Sequence, residues 1–394
     1  MPDREITVVH VDTEKGWGGG QNQVLLLMQE LLSRGRRNIL LTSENGELWV
    51  RSFPLSKIHP ALFRIESVTQ ANQADIRDFP CALKVLKEIM DLSRGELSKG
   101  SKTSRGRDVI IHLHSWRGIL FALLLSKYSG YPLVVTRRIN RRLGSFSTLL
   151  LNRFRFRMVS ISESVKKSLQ ESGFQKKISV VHSGIITENF STGSGWLFRE
   201  MLGLREEDIL IGHVGAFNGI KGQEYLMDAI SVLSERDVRV KAAFVGEGNE
   251  LPALKKRAEM RGLKQKVFFL GEQKNIKDFL ASVDIMAVPS LVEGLGIAAI
   301  EAMAAGIPVV AFKTGGLAEV VEDGVTGFLT PGGNVLALAE RLMQLAGDEK
   351  LRTSMGEEAK KKANRDFSYR KMVDAYEKIY YEEIAMMSQG ENNG

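Results

Sequence analysis

A chain of 394 residues with one cysteine, Cys81, can build neither a disulfide framework nor a thiolate zinc site, and that scarcity points to a reducing compartment. Long hydrophobic runs are also missing. The longest near the middle, "GILFALLLSKYSG" (Gly118–Gly130), falls well short of the ~20 residues a spanning helix needs. The N-terminus carries a strand-length apolar run without the core of a signal peptide. There is no G-x-S-x-G and no H-E-x-x-H, which removes elbow-type hydrolases and zinc metalloproteases. These absences predict a cytoplasmic protein, at most peripheral on the inner face of the cell membrane.

What remains is globular: 43% hydrophobic and 26% charged, without a low-complexity tract. The length suggests two domains. Charge is divided unevenly. Residues 1–190 carry 29 Lys and Arg against 17 Asp and Glu; the remainder carries 25 against 30. A basic first half, with clusters at "TRRINRR" (Thr136–Arg142), "RFRFR" (Arg153–Arg157) and residues 93–107, suits an anionic partner such as a phosphorylated glycan or an anionic lipid surface. No aromatic-interleaved or helix-turn-helix motif supports nucleic acid.

Short β-rich runs alternate with helical patterns, which argues for parallel sheets built from βαβ units. "ITVVHV", "NILLTS", "DVIIHLH", "PLVVT", "RMVSIS" and "ISVVHSG" form one series; "ILIGHVG", "VKAAFVG", "KVFFLG", "IMAVPS" and "IPVVAF" form a second. The predicted architecture is α/β, with two doubly wound, Rossmann-like domains across a central cleft. An N-terminal domain covers 1–190, a linker 191–208 with its flexible part at Ser191–Gly195, a C-terminal domain 209–365, and a helix with a polar tail 366–394.

The most informative stretch is "VPSLVEGLGIAAIEAMAAGIPVV" (Val288–Val310), where Glu293 and Glu301 stand in apolar surroundings. Burying a carboxylate costs several kcal/mol unless it is paired or hydrogen-bonded. A strand ends there, Gly294 and Gly296 let backbone approach a ligand, and a helix starting near Gly296 offers free amides to an anion. Glu301 then lies one and a half turns inside that helix while Glu293 stays at its mouth. Phosphate between two hydroxyl-bearing groups describes a sugar nucleotide; a glycosidase pair and two solvent-facing glutamates are the competing readings. "GHVGAFNGIKGQEYL" places Lys221 just before another helix, where it can reach phosphate. Gly315–Gly316 could line the same cleft. "GWGGGQNQ" is neither a dinucleotide fingerprint nor a P-loop, yet Gly18, Gly19 and Gly20 at a helix start can hold a phosphate on backbone amides. His112 and His114 share one face of a strand; with no third ligand nearby, zinc is not expected.

Taken in order, "GWGGGQNQ", "IHLHSW", "ISVVHSGI", "GHVGAFNGIKG", "FVGEGNE", "VPSLVEGLGIAAIEA" and "GGLAEVVEDGVTGFL" resemble the family-4 retaining glycosyltransferases, in particular those that build bacterial lipopolysaccharide or surface polysaccharide. The resemblance implies a GT-B fold whose C-terminal helix crosses back to the N-domain. It also implies a nucleotide-sugar donor, UDP-linked by preference, a glycan or lipid-linked acceptor, and no metal or cofactor. Glu301 then matches the glutamate that holds the ribose hydroxyls, and Glu293 the one on the donor sugar. Gly294, Leu295 and Gly296 supply backbone to sugar and phosphate, Lys221 neutralises the diphosphate beside Gly215, and His114 faces the transferring sugar. Gly18, Gly19 and Gly20 resemble the loop that closes on the phosphates. Two departures stand out. Ala216 replaces an arginine that follows the glycine in most members, and Arg137, Arg138, Arg141 and Arg142 replace a histidine-containing segment, which suits a phosphorylated or lipid-linked acceptor. A sugar-nucleotide 2-epimerase and a non-catalytic sugar-nucleotide-binding protein remain open beside the transferase.

Overall fold

The computed structural model describes residues 5–69, 108–236 and 238–390, which form two compact units. Cys81 and the basic run 93–107 lie outside the described residues. The first unit holds a seven-stranded parallel sheet: β1 (Ile6–Asp12), β2 (Arg37–Ser43), β3 (Phe63–Thr69), β4 (Asp108–Leu113), β5 (Leu133–Arg137), β6 (Arg157–Ser160) and β7 (Ile178–Val180), in spatial order β3-β2-β1-β4-β5-β6-β7. β1 is buried along its whole length, as expected of a strand covered on both faces. In register with β4 it places His10 beside His112. Strand order reverses between β1 and β4, so the crevice beyond their carboxyl ends is where a doubly wound sheet receives a ligand.

The second unit repeats the plan with β8 (Ile209–Val214), β9 (Val240–Val245), β10 (Val267–Phe269), β11 (Ile285–Val288), β12 (Val309–Phe312) and β13 (Gly327–Thr330), ordered β10-β9-β8-β11-β12-β13. Its reversal lies between β8 and β11. β3 and β13 are absent from the strands that the sequence predicts. β3 reads "FRIESVT", with charges between its apolar residues, and β13 has four residues.

The long helix Tyr369–Gly390 belongs to the first unit. Met372, Val373, Tyr376, Ile379, Tyr380 and Ile384 recur at helical spacing and pack into one core with Ile6, Val8, Leu27, Ile110 and Val134. Its polar edge is tied down as well: Glu377 accepts from Arg34 at 2.6 Å and from Arg36 at 2.9 Å. The preceding helix, Glu349–Asp366, stays with the second unit.

The glycines read as a flexible linker have a different reason to be there. A Cβ at Gly193 would come within 2.2 Å of the Lys277 carbonyl oxygen, and one at Gly195 within 2.2 Å of that of Ala281. They are points of close approach to the helix Ile276–Ala281. Between them and β8, Trp196–Met201 is helical and buries Phe198. Arg199 bonds Asp284 at 3.1 Å and the Asp208 carbonyl at 2.8 Å. Among the described residues, no helix is long and apolar enough to cross a membrane.

Candidate functional site

In the second unit, the loops after β8 and β11 meet backbone to backbone. Gly222 lies at φ 73°, where a Cβ would come within 1.9 Å of the Pro289 carbonyl oxygen, so only glycine fits. That contact brings Lys221, just ahead of the helix Gln223–Glu235, against Glu293, just beyond β11. Lys221 Nζ donates to Glu293 Oε2 at 2.7 Å, with both side chains largely shielded. The sequence places both residues near one ligand; their direct ion pair is a finding of the structure.

The helix Ile297–Ala304 begins at Gly296, as the sequence predicts, with Gly296 at φ 102°. No side chain caps its first turn, so the amides at its start remain available and carry the positive end of the helix dipole. Leu295 is buried beside it. Gly315 and Gly316 do not merely line the site; they support it from behind. A Cβ at Gly315 would meet the Glu293 carbonyl oxygen at 1.9 Å, and one at Gly316 the Gly294 carbonyl oxygen at 2.5 Å. Ser162 adds a 2.7 Å hydrogen bond to that same Gly294 oxygen. Glu301, one turn into the helix, is half-buried, and its carboxylate makes no hydrogen bond or ion pair among the described residues. Burial without a cationic neighbour pushes its carboxyl up to about 7. A carboxylate in that state gains most from a ligand that donates hydrogen bonds to it. Gly215 follows β8, and Ala216 shows only a backbone role, its carbonyl accepting from Gln223 at 3.1 Å.

The first unit presents its own site at the β1/β4 reversal. Gly18 precedes the helix Gly19–Ser33 in extended conformation, again without a side-chain cap. A cavity of about 820 Å³ is lined by Gly20, His114, Arg137, Arg138, Arg141 and Arg142. Gly18 and Gly19 stand next to it in the chain rather than in its wall. Arg138 lies against Gly20, 3.4 Å from where a Cβ would stand. Arg137 is buried, stacks on the Trp116 ring at 4.5 Å, and is lowered to about 10, first by burial and then by Arg141. Arg142 is exposed and bonds Glu171 at 2.7 Å. Asp12, at the end of β1, accepts from the Glu14 amide at 3.0 Å and from Gln21 at 3.3 Å; burial raises it to about 6.

Beneath this cavity lies a group that the sequence does not announce. A third histidine, His10, joins His112 and His114, correcting the expectation that no third ligand is near. Five of their six ring nitrogens are nevertheless spent on hydrogen bonds, His114 Nδ1 being the exception. His10 Nδ1 sits 3.0 Å from His114 Nε2, and His10 Nε2 2.8 Å from Asn38 Oδ1. His112 uses Nδ1 toward Tyr380 at 2.6 Å and Nε2 toward Thr136 at 2.7 Å. All three imidazoles are held well below their ordinary titration range by burial. A polar residue inside the apolar run "ITVVHVD" was the available signal for His10, and only the β1–β4 register makes it meaningful.

Comparison with known proteins agrees with this layout. Residues 195–362 match the family described as glycosyl transferases group 1, and residues 17–189 match glycosyltransferase family 4. Curated relatives include the N-acetyl-alpha-D-glucosaminyl L-malate synthase of Bacillus anthracis, 32% identical over 46% of this chain and 47% of that one. Another is a D-inositol 3-phosphate glycosyltransferase of Corynebacterium jeikeium, 35% identical over 52% of each. The chain thus spans about half the length of these relatives. Among solved structures, Anabaena Alr3699/HepE in complex with UDP is 21% identical, with a TM-score of 0.79 over 96% of this chain and all of that one. A Rickettsia africae glycosyltransferase is 19% identical, with a TM-score of 0.81 over 96% of this chain and 99% of that one. These likenesses show the fold, two Rossmann-like units of the GT-B type.

Proposed function

We propose that this chain, whose residues 17–189 match glycosyltransferase family 4 and 195–362 the glycosyl transferases group 1, transfers a sugar from a nucleotide-sugar donor to an anionic glycan or lipid-linked acceptor with retention of configuration. The observation that carries the reading is the constellation at the β8/β11 reversal: a cation, an uncapped helix start and two carboxylates, one in the glycine-built loop and one inside the helix it opens. Each group has a chemical use. Glu301 accepts from the two ribose hydroxyls. The amides at Gly294, Leu295 and Gly296, with the Lys221 ammonium, take the diphosphate. Glu293, once Lys221 turns to phosphate, is free to accept from hydroxyls of the donor sugar. His114 of the first unit serves the transferring sugar.

In the reaction, the bond between the anomeric carbon and the diphosphate oxygen breaks while the acceptor oxygen bonds that carbon from the same face. The acceptor's proton passes to the departing diphosphate, whose charge is met by Lys221, the helix dipole and backbone amides, so the reading requires neither metal nor protein nucleophile. UDP is favoured as the carrier because Anabaena Alr3699/HepE was solved with it. The cavity holding Arg137, Arg138, Arg141 and Arg142 supports an acceptor bearing phosphate or carboxylate. The relatives named for malate and inositol 3-phosphate act on anions of that kind. Bacterial surface polysaccharide, including lipopolysaccharide, offers such acceptors on an anionic membrane surface that the basic first unit would favour.

A thermal-shift screen against UDP-, GDP- and ADP-sugars tests the donor. Ligand at a hundred times its Kd adds about 2.7 kcal/mol of stability, so a true donor raises the melting temperature measurably. No shift with any of them contradicts the reading. Epimer formed from UDP-sugar alone would favour the epimerase instead.

A further inference from the structure

The hydrogen bonds beneath the first-unit cavity define which nitrogen of His114 carries a proton. The chain of deduction begins at Asn38, whose side-chain nitrogen donates to the Arg36 carbonyl oxygen at 2.9 Å. A carbonyl can only accept, so the other end of that amide, Oδ1, faces His10 and accepts from its Nε2 at 2.8 Å. His10 is fully buried and lowered to about 4, hence neutral, so its Nδ1 is a bare lone pair. His114 Nε2, 3.0 Å away, must therefore carry the proton. His114 is also buried, with Arg138 among the charges that disfavour its cation, which leaves Nδ1 unprotonated. That atom is buried and has no hydrogen-bond partner. An orphaned acceptor in a residue lining the cavity calls for a donor that the free protein does not hold.

We propose that Asn38 and His10 are positioning residues that lock His114 in the Nε2–H tautomer, so that its Nδ1 accepts a hydrogen bond from a hydroxyl of the transferring sugar. The proposal rests on the reading of His114 as the sugar-facing residue. His112 reinforces the lock without competing for it. Both its nitrogens are engaged by Thr136 and Tyr380, and its ring centroid lies 3.8 Å from that of His114. Tyr376 completes the set with a 3.0 Å bond to Thr136. The C-terminal helix thereby helps fix the ring against which His114 packs.

Nitrogen-15 spectra of the full chain labelled at its six histidines test this directly. The expected His114 signal is a protonated Nε2 and a bare Nδ1 at neutral pH. In His10→Phe, which keeps a ring but removes the acceptor, His114 should populate both tautomers. kcat/KM should fall about tenfold, the scale of one hydrogen bond, and UDP-sugar Kd should weaken with it, while the Kd of UDP alone moves less than about twofold. His10→Gln, whose amide oxygen can accept from Nε2, should restore most of the loss. A wild-type His114 protonated on Nδ1 overturns the lock, as does an unchanged tautomer in His10→Phe. Mixed tautomers with undiminished turnover overturn the role in sugar recognition. Should the wild type transfer no sugar, the transferase reading falls, while the spectra still decide the lock. If His10→Phe does not fold, the wild-type spectrum alone decides it.

Discussion

The role proposed for Glu301 makes donor binding depend on pH in a way that can be calculated. Its carboxyl sits at about 7 because burial, with no cation beside it, disfavours the charged form relative to an ordinary 4.5. The two hydroxyls of a ribose donate hydrogen bonds, so the ionised form is the one that binds. Titration about pH 7 leaves about a tenth of the carboxyl ionised at pH 6 and about nine tenths at pH 8. Donor Kd should therefore tighten about tenfold between pH 6 and pH 8. A nucleotide-sugar, esterified at both ends of its diphosphate, does not itself titrate in that window. Isothermal titration calorimetry with a UDP-sugar measures it, and Glu301→Gln, which cannot ionise, should flatten the profile. Folding stability runs the other way. Because the folded pKa is raised, the free protein loses stability from this group as pH rises from about 4.5 through 7, and Glu301→Gln should remove that slope. A wild-type Kd that is flat between pH 6 and 8, or the same slope in Glu301→Gln, would refute the assignment.

Three other perturbations separate the parts of the account. Lys221→Ala should weaken nucleotide-sugar binding by ten- to a hundredfold, the ~1.5–3 kcal/mol of a charge-assisted hydrogen bond, as read by calorimetry; an unchanged Kd would put the diphosphate elsewhere. Charge reversal at Arg138 and Arg141 should raise the acceptor KM while leaving donor Kd within twofold, and equal loss of both would remove the acceptor assignment. Tyr376→Ala empties a fully buried site between the C-terminal helix and the first sheet, and should cost about 3–5 kcal/mol in urea unfolding of that unit. A loss below 1 kcal/mol would mean that the helix does not anchor there.

Much of this was legible in the sequence because strands buried on both faces must be apolar runs, and glycines that punctuate their ends mark where backbone meets ligand. "VPSLVEGLGIAAIEA" yielded the helix start at Gly296 and the isolation of Glu301. What stayed hidden depends on pairing between distant residues. Lys221 and Glu293 are 72 positions apart, and no local pattern shows that they form one ion pair. His10 lies 104 positions from His114, and only the parallel register of β1 and β4 turns a lone strand histidine into a relay. Gly193 and Gly195 misled for a physical reason: glycine serves flexible chain and close backbone contact equally well, and composition does not distinguish them.

The central claim is a donor clamp in the second unit, and a crystal structure of the protein soaked with a non-hydrolysable UDP-sugar tests it most directly. The account predicts the ribose hydroxyls on Glu301, the diphosphate on the amides of Gly294–Gly296, and Lys221 drawn from Glu293 to phosphate. Nucleotide bound away from Glu301, or a Lys221–Glu293 pair still closed with donor present, would contradict it.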